Sequence, residues 1–173
     1  MNMIYVMSDV DGKMYMVRNV NDKHQASNLL GNINKNIHDI TDYMYNNKHE
    51  SYNKYKPYIL RLKTRINNII IRESSENSQY TSYTVNKGEQ IIFCIRSKLI
   101  DKYINSSNIH AKNLIMYVAL HEIAHIACPE YGHTPLFKDI FNFFCDEANK
   151  AGIYKKIDFK TTPVEYCGMT ITG

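Results

Sequence analysis

Within five consecutive positions the sequence carries His121, Glu122 and His125, an H-E-x-x-H string. On a helix, residues four apart rise about 6 Å and face nearly the same way, so His121 and His125 present ring nitrogens to one point. A zinc ion fits there. Glu122 stands about 100° around the axis from His121, close enough to hold a water beside the metal without ligating it. Two imidazole ligands, with a carboxylate that takes a proton from water whose pKa zinc has lowered, are the working parts of a zinc hydrolase. The chain's own His and Glu content makes an accidental string about a one-in-a-hundred event. A metal site therefore explains it better than two structural histidines on a core helix.

A catalytic zinc usually takes three protein ligands and leaves one position for water. His133 is the first choice for the third. Cys128-Pro129 should stop the helix, Tyr131-Gly132 gives a flexible turn, and His133 then returns beside the first pair. Thr134 and Pro135 suit the N-cap and first turn of a further helix, on which Leu136, Phe137, Ile140, Phe141, Phe144 and Ala148 form an apolar face. Glu147 lies on that face too, which makes it the alternative third ligand, or a group that orients a ligand histidine. Gly152 should end this helix. The following Pro163 to Gly168 segment reads as a loop able to fold over the site, and its Tyr166 is a candidate to donate a hydrogen bond to a developing oxyanion. The plainer reading, a packed tyrosine, competes in a chain with 14 Tyr. Cys94, Cys128, Cys145 and Cys167 form no Cys-x-x-Cys pair and are expected to be buried free thiols. Cys128 is close to His125 in sequence, but a neighbouring histidine explains the site better.

The elements that must hold these residues can be read outward from the motif. Ala111 to Ala127 is apolar nearly all round, as in a helix buried on every side. Tyr80 to Val85 and Ile91 to Ile95 flank Asn86-Lys87-Gly88, which signals a hairpin, and so do Met3 to Val20 about Asp11-Gly12. Asp22 to Tyr45 carries Leu29, Leu30, Ile33, Ile37, Ile40 and Met44 at helical spacing, with His24 and His38 read as partnerless surface residues. Pro57 opens a helix bearing Ile59, Leu60, Leu62 and Ile66. Ile69 to Ile71 reads as a short buried strand and Glu73 to Gln79 as a loop.

The string from Tyr117 to His125 (Y-V-A-L-H-E-I-A-H), followed by Gly132-His133-Thr134-Pro135-Leu136-Phe137, resembles the SprT-like and WLM-type zincin metallopeptidases. The resemblance implies ligand roles for His121, His125 and His133, a general-base role for Glu122 and a packing role for Phe137. It also implies that the hairpin from Tyr80 to Ile95 supplies an edge strand that binds substrate in extended form. The likeness covers roughly Tyr80 to Ala148, and Met1 to Gln79 has no counterpart in it. Members of these groups cleave proteins crosslinked to DNA, so the resemblance makes DNA a partner alongside a protein or peptide substrate.

The 173 residues suit one domain, with 44% hydrophobic and 22% charged residues as in ordinary globular proteins. A net charge of +4 with scattered Lys and Arg fits solvated helix faces better than a nucleic-acid patch. No apolar run is long enough to cross a bilayer, and the N-terminus lacks a signal-peptide pattern, so an intracellular protein is expected, in cytoplasm, nucleus or virion. The Asn, Ile, Lys and Tyr richness fits an AT-rich genome, such as that of a large DNA virus or a protist. The expectation is thus an α+β, single zincin-like domain. In it a small antiparallel or mixed sheet packs on the H-E-x-x-H helix and the helix after it, with an N-terminal hairpin and helices of unassigned role. Its expected activity is zinc-dependent peptide hydrolysis, the rivals being a zinc hydrolase of other amides or esters and a non-catalytic, zinc-stapled interaction module.

Overall fold

The structure is a computed structural model that describes residues 2–76, 81–99 and 108–173. Strands β1 (Met3–Met7) and β2 (Met14–Arg18) pair antiparallel, with Met7 opposite Met14. Their connection is wider than the expected two-residue turn at Asp11-Gly12. It spans Ser8 to Lys13, because the loop is drawn onto the following helix: Asn28 Oδ1 accepts from the Asp9 N–H at 2.8 Å. Gly31 makes that approach possible, since a Cβ there would overlap the buried Ser8 hydroxyl. His24, expected to be partnerless, is exposed but lies 3.0 Å from the Asp9 carboxylate, and His38 is half-buried.

Helix α1 (Lys23–Tyr45) buries Leu29, Leu30, Ile33, Ile37, Ile40 and Met44, the stripe read from the sequence. A 3₁₀ turn at Glu50–Tyr52, capped by His49, follows and buries Tyr52; the polar stretch 48–56 carries no periodicity that would signal it. Helix α2 (Lys56–Arg65) starts at Pro57 and turns Ile59 and Leu62 inward, whereas Leu60 faces out.

Strand β3 (Ile70–Glu73) starts one residue after the expected Ile69 and ends two residues after Ile71, taking in Glu73, which the sequence places in a loop. A buried ion network explains the shift. The fully buried Glu73 carboxylate accepts from Arg96 Nε at 2.7 Å and from the Arg18 backbone N–H at 2.9 Å, and Arg96 also reaches Asp22 at 2.6 Å. With its charge paired and its oxygens bonded, a glutamate is tolerated in a core strand. Strands β4 (Tyr83–Val85) and β5 (Gln90–Phe93) form the expected hairpin, with Asn86 and Lys87 at positive φ of 48° and 46°. The sheet order is β3-β5-β4, with β3 parallel to β5, so β4 is an edge. Tyr80, the expected start of the hairpin, lies outside the described residues.

Helix α3 (Lys112–Ala127) runs through the middle of the molecule, packed by α1, α2 and α4 (Pro135–Lys150). Its small residues Ala119, Ala124 and Ala127 are fully buried where neighbours press close. Thr134 caps α4 by accepting from the Phe137 N–H at 3.2 Å, and Gly152 follows its C-terminus at a φ of 73°. The expected loop from Pro163 is instead a third hairpin, β6 (Val164–Tyr166) and β7 (Met169–Ile171). A disulfide between Cys94 and Cys167 fastens it to the end of β5, correcting the expectation of four free thiols; Cys128 and Cys145 are free and buried. One hydrophobic core takes in residues of β2, α1, α2, the sheet, α3 and α4, so the small α+β fold draws its N-terminal half into the same interior as the motif helix. Among the described residues no helix is long and apolar enough to cross a membrane.

Candidate metal centre and cleft

Buried among apolar neighbours, α3 offers few places where a polar side chain can emerge, and His121, Glu122 and His125 occupy one of them. One turn of helix brings the Nε2 atoms of His121 and His125 to 3.2 Å. Helix α3 stops at Cys128, whose backbone turns extended ahead of Pro129. The chain then doubles back through Gly132, at a φ of 81°, and delivers His133 Nε2 to 3.2 Å from His121 Nε2. The ligand atoms of all three histidines lie within 4.8 Å of one another, as the sequence led us to expect. Neutral imidazoles share protons pairwise, so one proton cannot satisfy three converging nitrogens. A cation can, and tetrahedral zinc with Zn–N bonds of about 2.0–2.1 Å would set its nitrogens about 3.3 Å apart. The donor set fits such a metal.

Burial, reinforced by the neighbouring imidazoles, lowers the His121 pKa to about 3, and burial with His133 and Lys87 nearby lowers that of His125 to about 4. Both rings are therefore neutral, the form that ligates a metal. Glu122 is 4% exposed, and burial raises its pKa to about 8. Among the described residues no hydrogen bond holds its carboxyl. Phe137 fills the space behind the triad: its ring stacks on His125 at 4.1 Å between centroids and lies 5.1 Å from both His121 and His133. Phe141, which the sequence reading placed only on a packing face, comes within 5.2 Å of His121.

Two sequence candidates are bonded to groups other than the triad. Glu147 is not at the triad. It is buried on the far part of α4, where its carboxylate accepts from the Tyr52 hydroxyl and pairs with Lys150 at 2.8 Å. Its helical position repeats that of Phe137 and Phe144, but the helix is long enough to carry it past the metal centre to the 3₁₀ turn. Tyr166 does line the cleft, yet its hydroxyl donates to the Cys94 carbonyl at 2.7 Å and is bonded to Ser82 Oγ. Its single proton is committed, and burial raises its pKa, so it serves as wall rather than oxyanion donor.

The three histidines and Glu122 open into a cleft of about 650 Å³. Its floor is α3, with Tyr117 and Val118 one turn before His121; β4 with the residues before it and the β6–β7 hairpin with Met169 and Ile171 also line it. A feature missed in the sequence closes one end. The Lys87 ammonium donates to the carbonyls of His125, Cys128 and Glu130 at 3.1, 2.6 and 2.7 Å and lies 4.6 Å from the Tyr131 ring centre. It thereby caps the C-terminus of α3 and ties the β4–β5 turn to the loop that carries His133. Only the turn was legible there, because nothing in Asn-Lys-Gly says which carbonyls the lysine will meet.

No family model matches the chain, and no solved structure matches it. It is 43% identical over 167 residues to the uncharacterized protein R325 of Acanthamoeba polyphaga mimivirus, covering 96% of this chain and 81% of that one. Against the uncharacterized protein 136R of Invertebrate iridescent virus 6 it is 30% identical over 135 residues, 78% of this chain and 69% of the other. A third similarity, 38% over 88 residues, is to the uncharacterized protein 042R of Invertebrate iridescent virus 3. These relatives come from large DNA viruses, in line with the compositional expectation. With 96% of the chain covered, the mimivirus protein also supplies the counterpart for the N-terminal half that the motif resemblance lacked.

Proposed function

The chain belongs to the family of the mimivirus protein R325 and the iridovirus protein 136R, and from its centre we propose that it is a zinc-dependent peptidase of zincin type. The observation that carries this reading is the convergence of three neutral imidazoles and a buried carboxyl that, among the described residues, has no hydrogen-bond partner, at the floor of an open cleft beside β4, which is an edge of the described sheet. His121, His125 and His133 would hold the zinc, which when bound supplies Lewis acidity toward a carbonyl and lowers the pKa of nearby water. Glu122, whose ionised form a cation at the triad would favour, takes a proton from the attacking water and returns it to the amine nitrogen that leaves as the peptide bond breaks. Phe137 keeps the three rings in register, and β4 aligns the substrate main chain. A purely structural zinc would have no use for Glu122 or for a cleft of this size, which weighs against the stapled-module reading. The SprT-like and WLM-type resemblance supports the same activity. DNA as a partner rests on that resemblance alone: exposed basic groups such as Lys35, Lys54 and Lys63 are paired with Asp39, Asp139 and Asp42.

Elemental analysis of purified wild type, His121→Ala, His133→Ala and Glu147→Ala tests the centre. About one zinc per chain is expected, lost in both histidine variants and kept in Glu147→Ala. Glu122→Gln should keep its zinc and lose cleavage of an unfolded protein substrate by about 10²–10⁴-fold. Full activity in Glu122→Gln would refute the mechanism.

A further inference from the structure

The backbone bonding of β4 says how a substrate chain can lie in the cleft. The Thr81 carbonyl accepts from Cys94 of the β5 side at 3.0 Å, and the Val85 carbonyl accepts from Glu89 at 3.0 Å. In an antiparallel pair the bonding direction alternates residue by residue, so Thr81, Tyr83 and Val85 face β5, while the N–H and C=O of Ser82 and Thr84 face the other edge, on which no strand pairs among the described residues. An extended polypeptide can add there as a further strand, with alternate side chains directed to the α3 floor and to solvent.

What the floor offers to such a side chain differs along the cleft. The end near the C-terminus of α3 holds Lys87, Tyr131 and His133. Toward the N-terminus of α3, one turn from His121, the helix contributes Tyr117 and Val118 to the lining; the β6–β7 hairpin, which contributes Met169 and Ile171, is drawn to the same end, since the Cys167 N–H donates at 3.1 Å to His110 Nε2 just ahead of the helix. Tyr117 is braced from behind by Phe159, with ring centroids 4.6 Å apart, and by Phe141 at 5.4 Å, so it is a fixed surface. Charge gives no alternative means of recognition. Among the described lining residues Glu122 is the sole carboxylate, and the Lys87 ammonium is engaged by three carbonyls.

Resting on the peptidase reading above, we propose that this cleft selects extended polypeptide segments with a large apolar side chain, lodged between Tyr117 and Val118 of α3 and Met169 and Ile171 of the β6–β7 hairpin. The substrate class is an unfolded or locally opened protein, in which apolar side chains are accessible on an extended backbone. Met169 and Ile171 set the selectivity, and Ser82 and Thr84 supply the main-chain grip.

Binding and cleavage test this separately. Fluorescein-labelled decapeptides of neutral sequence, differing only in one central Leu, Phe, Asp or Lys, are titrated into the Glu122→Gln protein and followed by fluorescence polarisation. The Leu and Phe peptides should bind about tenfold or more tightly than the Asp peptide. In the Ile171→Glu background that advantage should vanish and the Lys peptide should gain, with a cooperative melt as the check on folding. If Ile171→Glu fails to fold, Met169→Lys at the exposed rim should shift preference toward the Asp peptide instead. Equal binding of all four peptides, or a preference unchanged by the wall variants, would overturn the inference. Wild-type, zinc-loaded protein is then given the same peptides and the products are read by mass spectrometry. Apolar-selective binding without any cleavage would sink the peptidase reading and leave the subsite standing; cleavage without apolar preference would do the reverse.

Discussion

At the residue scale, the centre depends on groups that are neutral because they are buried. In the metal-free protein this has a consequence for stability. His121 and His125 have folded-state pKa values lowered to about 3 and about 4, so the unfolded chain binds more protons than the folded one as pH drops below about 6.5, and stability falls on the acid side. Glu122 has its folded pKa raised to about 8, so the folded state retains a proton that the unfolded state has released, and stability falls as pH rises from the ordinary glutamate range through 8. Chelator-treated protein should therefore unfold at the highest urea concentration near pH 6.5 and at lower ones at pH 5 and pH 8. In Glu122→Gln the alkaline decline should flatten. Phe137 offers a second test, since its ring touches all three imidazoles. Phe137→Ala should cost about 3–5 kcal/mol of stability and weaken zinc binding about tenfold, by the loosening of ligands that usually follows loss of their support; calorimetry and a competitive chelator titration measure the two. The convergence of the three histidines is legible in the sequence because helical spacing alone sets two imidazoles side by side, and a Gly turn brings back the third. Glu147 was misplaced because a shared helix face says nothing about distance along the axis.

At the scale of elements, the cleft is assembled from parts that the sequence announces unequally. The Asn86-Lys87-Gly88 turn and the apolar α3 are strong local signals, and both elements stand where they were expected. The β6–β7 hairpin was read as a loop because its strands are three residues each and take their definition from tertiary partners: the Cys94–Cys167 bridge, the Tyr166 hydroxyl on Cys94, and the Glu165 carboxylate on Ser97 at 2.9 Å. Lys87 is the joint between the hairpin wall and the metal loop. Lys87→Met should leave its three carbonyl partners short of a donor at a cost of about 1–3 kcal/mol and free the loop that carries His133. Zinc affinity should fall while His121 and His125 remain in place, a result readable by zinc titration beside a thermal melt. Unchanged affinity would mean that the loop holds its shape without the lysine.

The whole molecule shows why the N-terminal half is present. Helices α1 and α2 cover faces of α3 that would otherwise meet water, and Leu30, Ile33, Ile37 and Leu62 are fully buried in the same core as Ile115, Leu120 and Ile123. Sequence reading found both helices but not their role, since periodicity reveals an apolar stripe and not what it packs against. A chain lacking residues 2–47 should lose the cooperative thermal transition and its zinc together, as circular dichroism and metal analysis would show. Retention of both would mean that the segment from the 3₁₀ turn onward folds without β1, β2 and α1.

The bridge between Cys94 and Cys167, 73 positions apart, gives the cleft one wall that is held by covalent chemistry and a floor that is held by folding. A thiol reductant should then act where a chelator does not. Reduction is expected to raise hydrogen exchange across residues 164–171 and to raise KM for peptides, with zinc content and the α3 helix unaltered. The thiol–disulfide balance of the surroundings would thus govern how readily a polypeptide enters, while, on the peptidase reading, the supply of metal would govern whether it is cut.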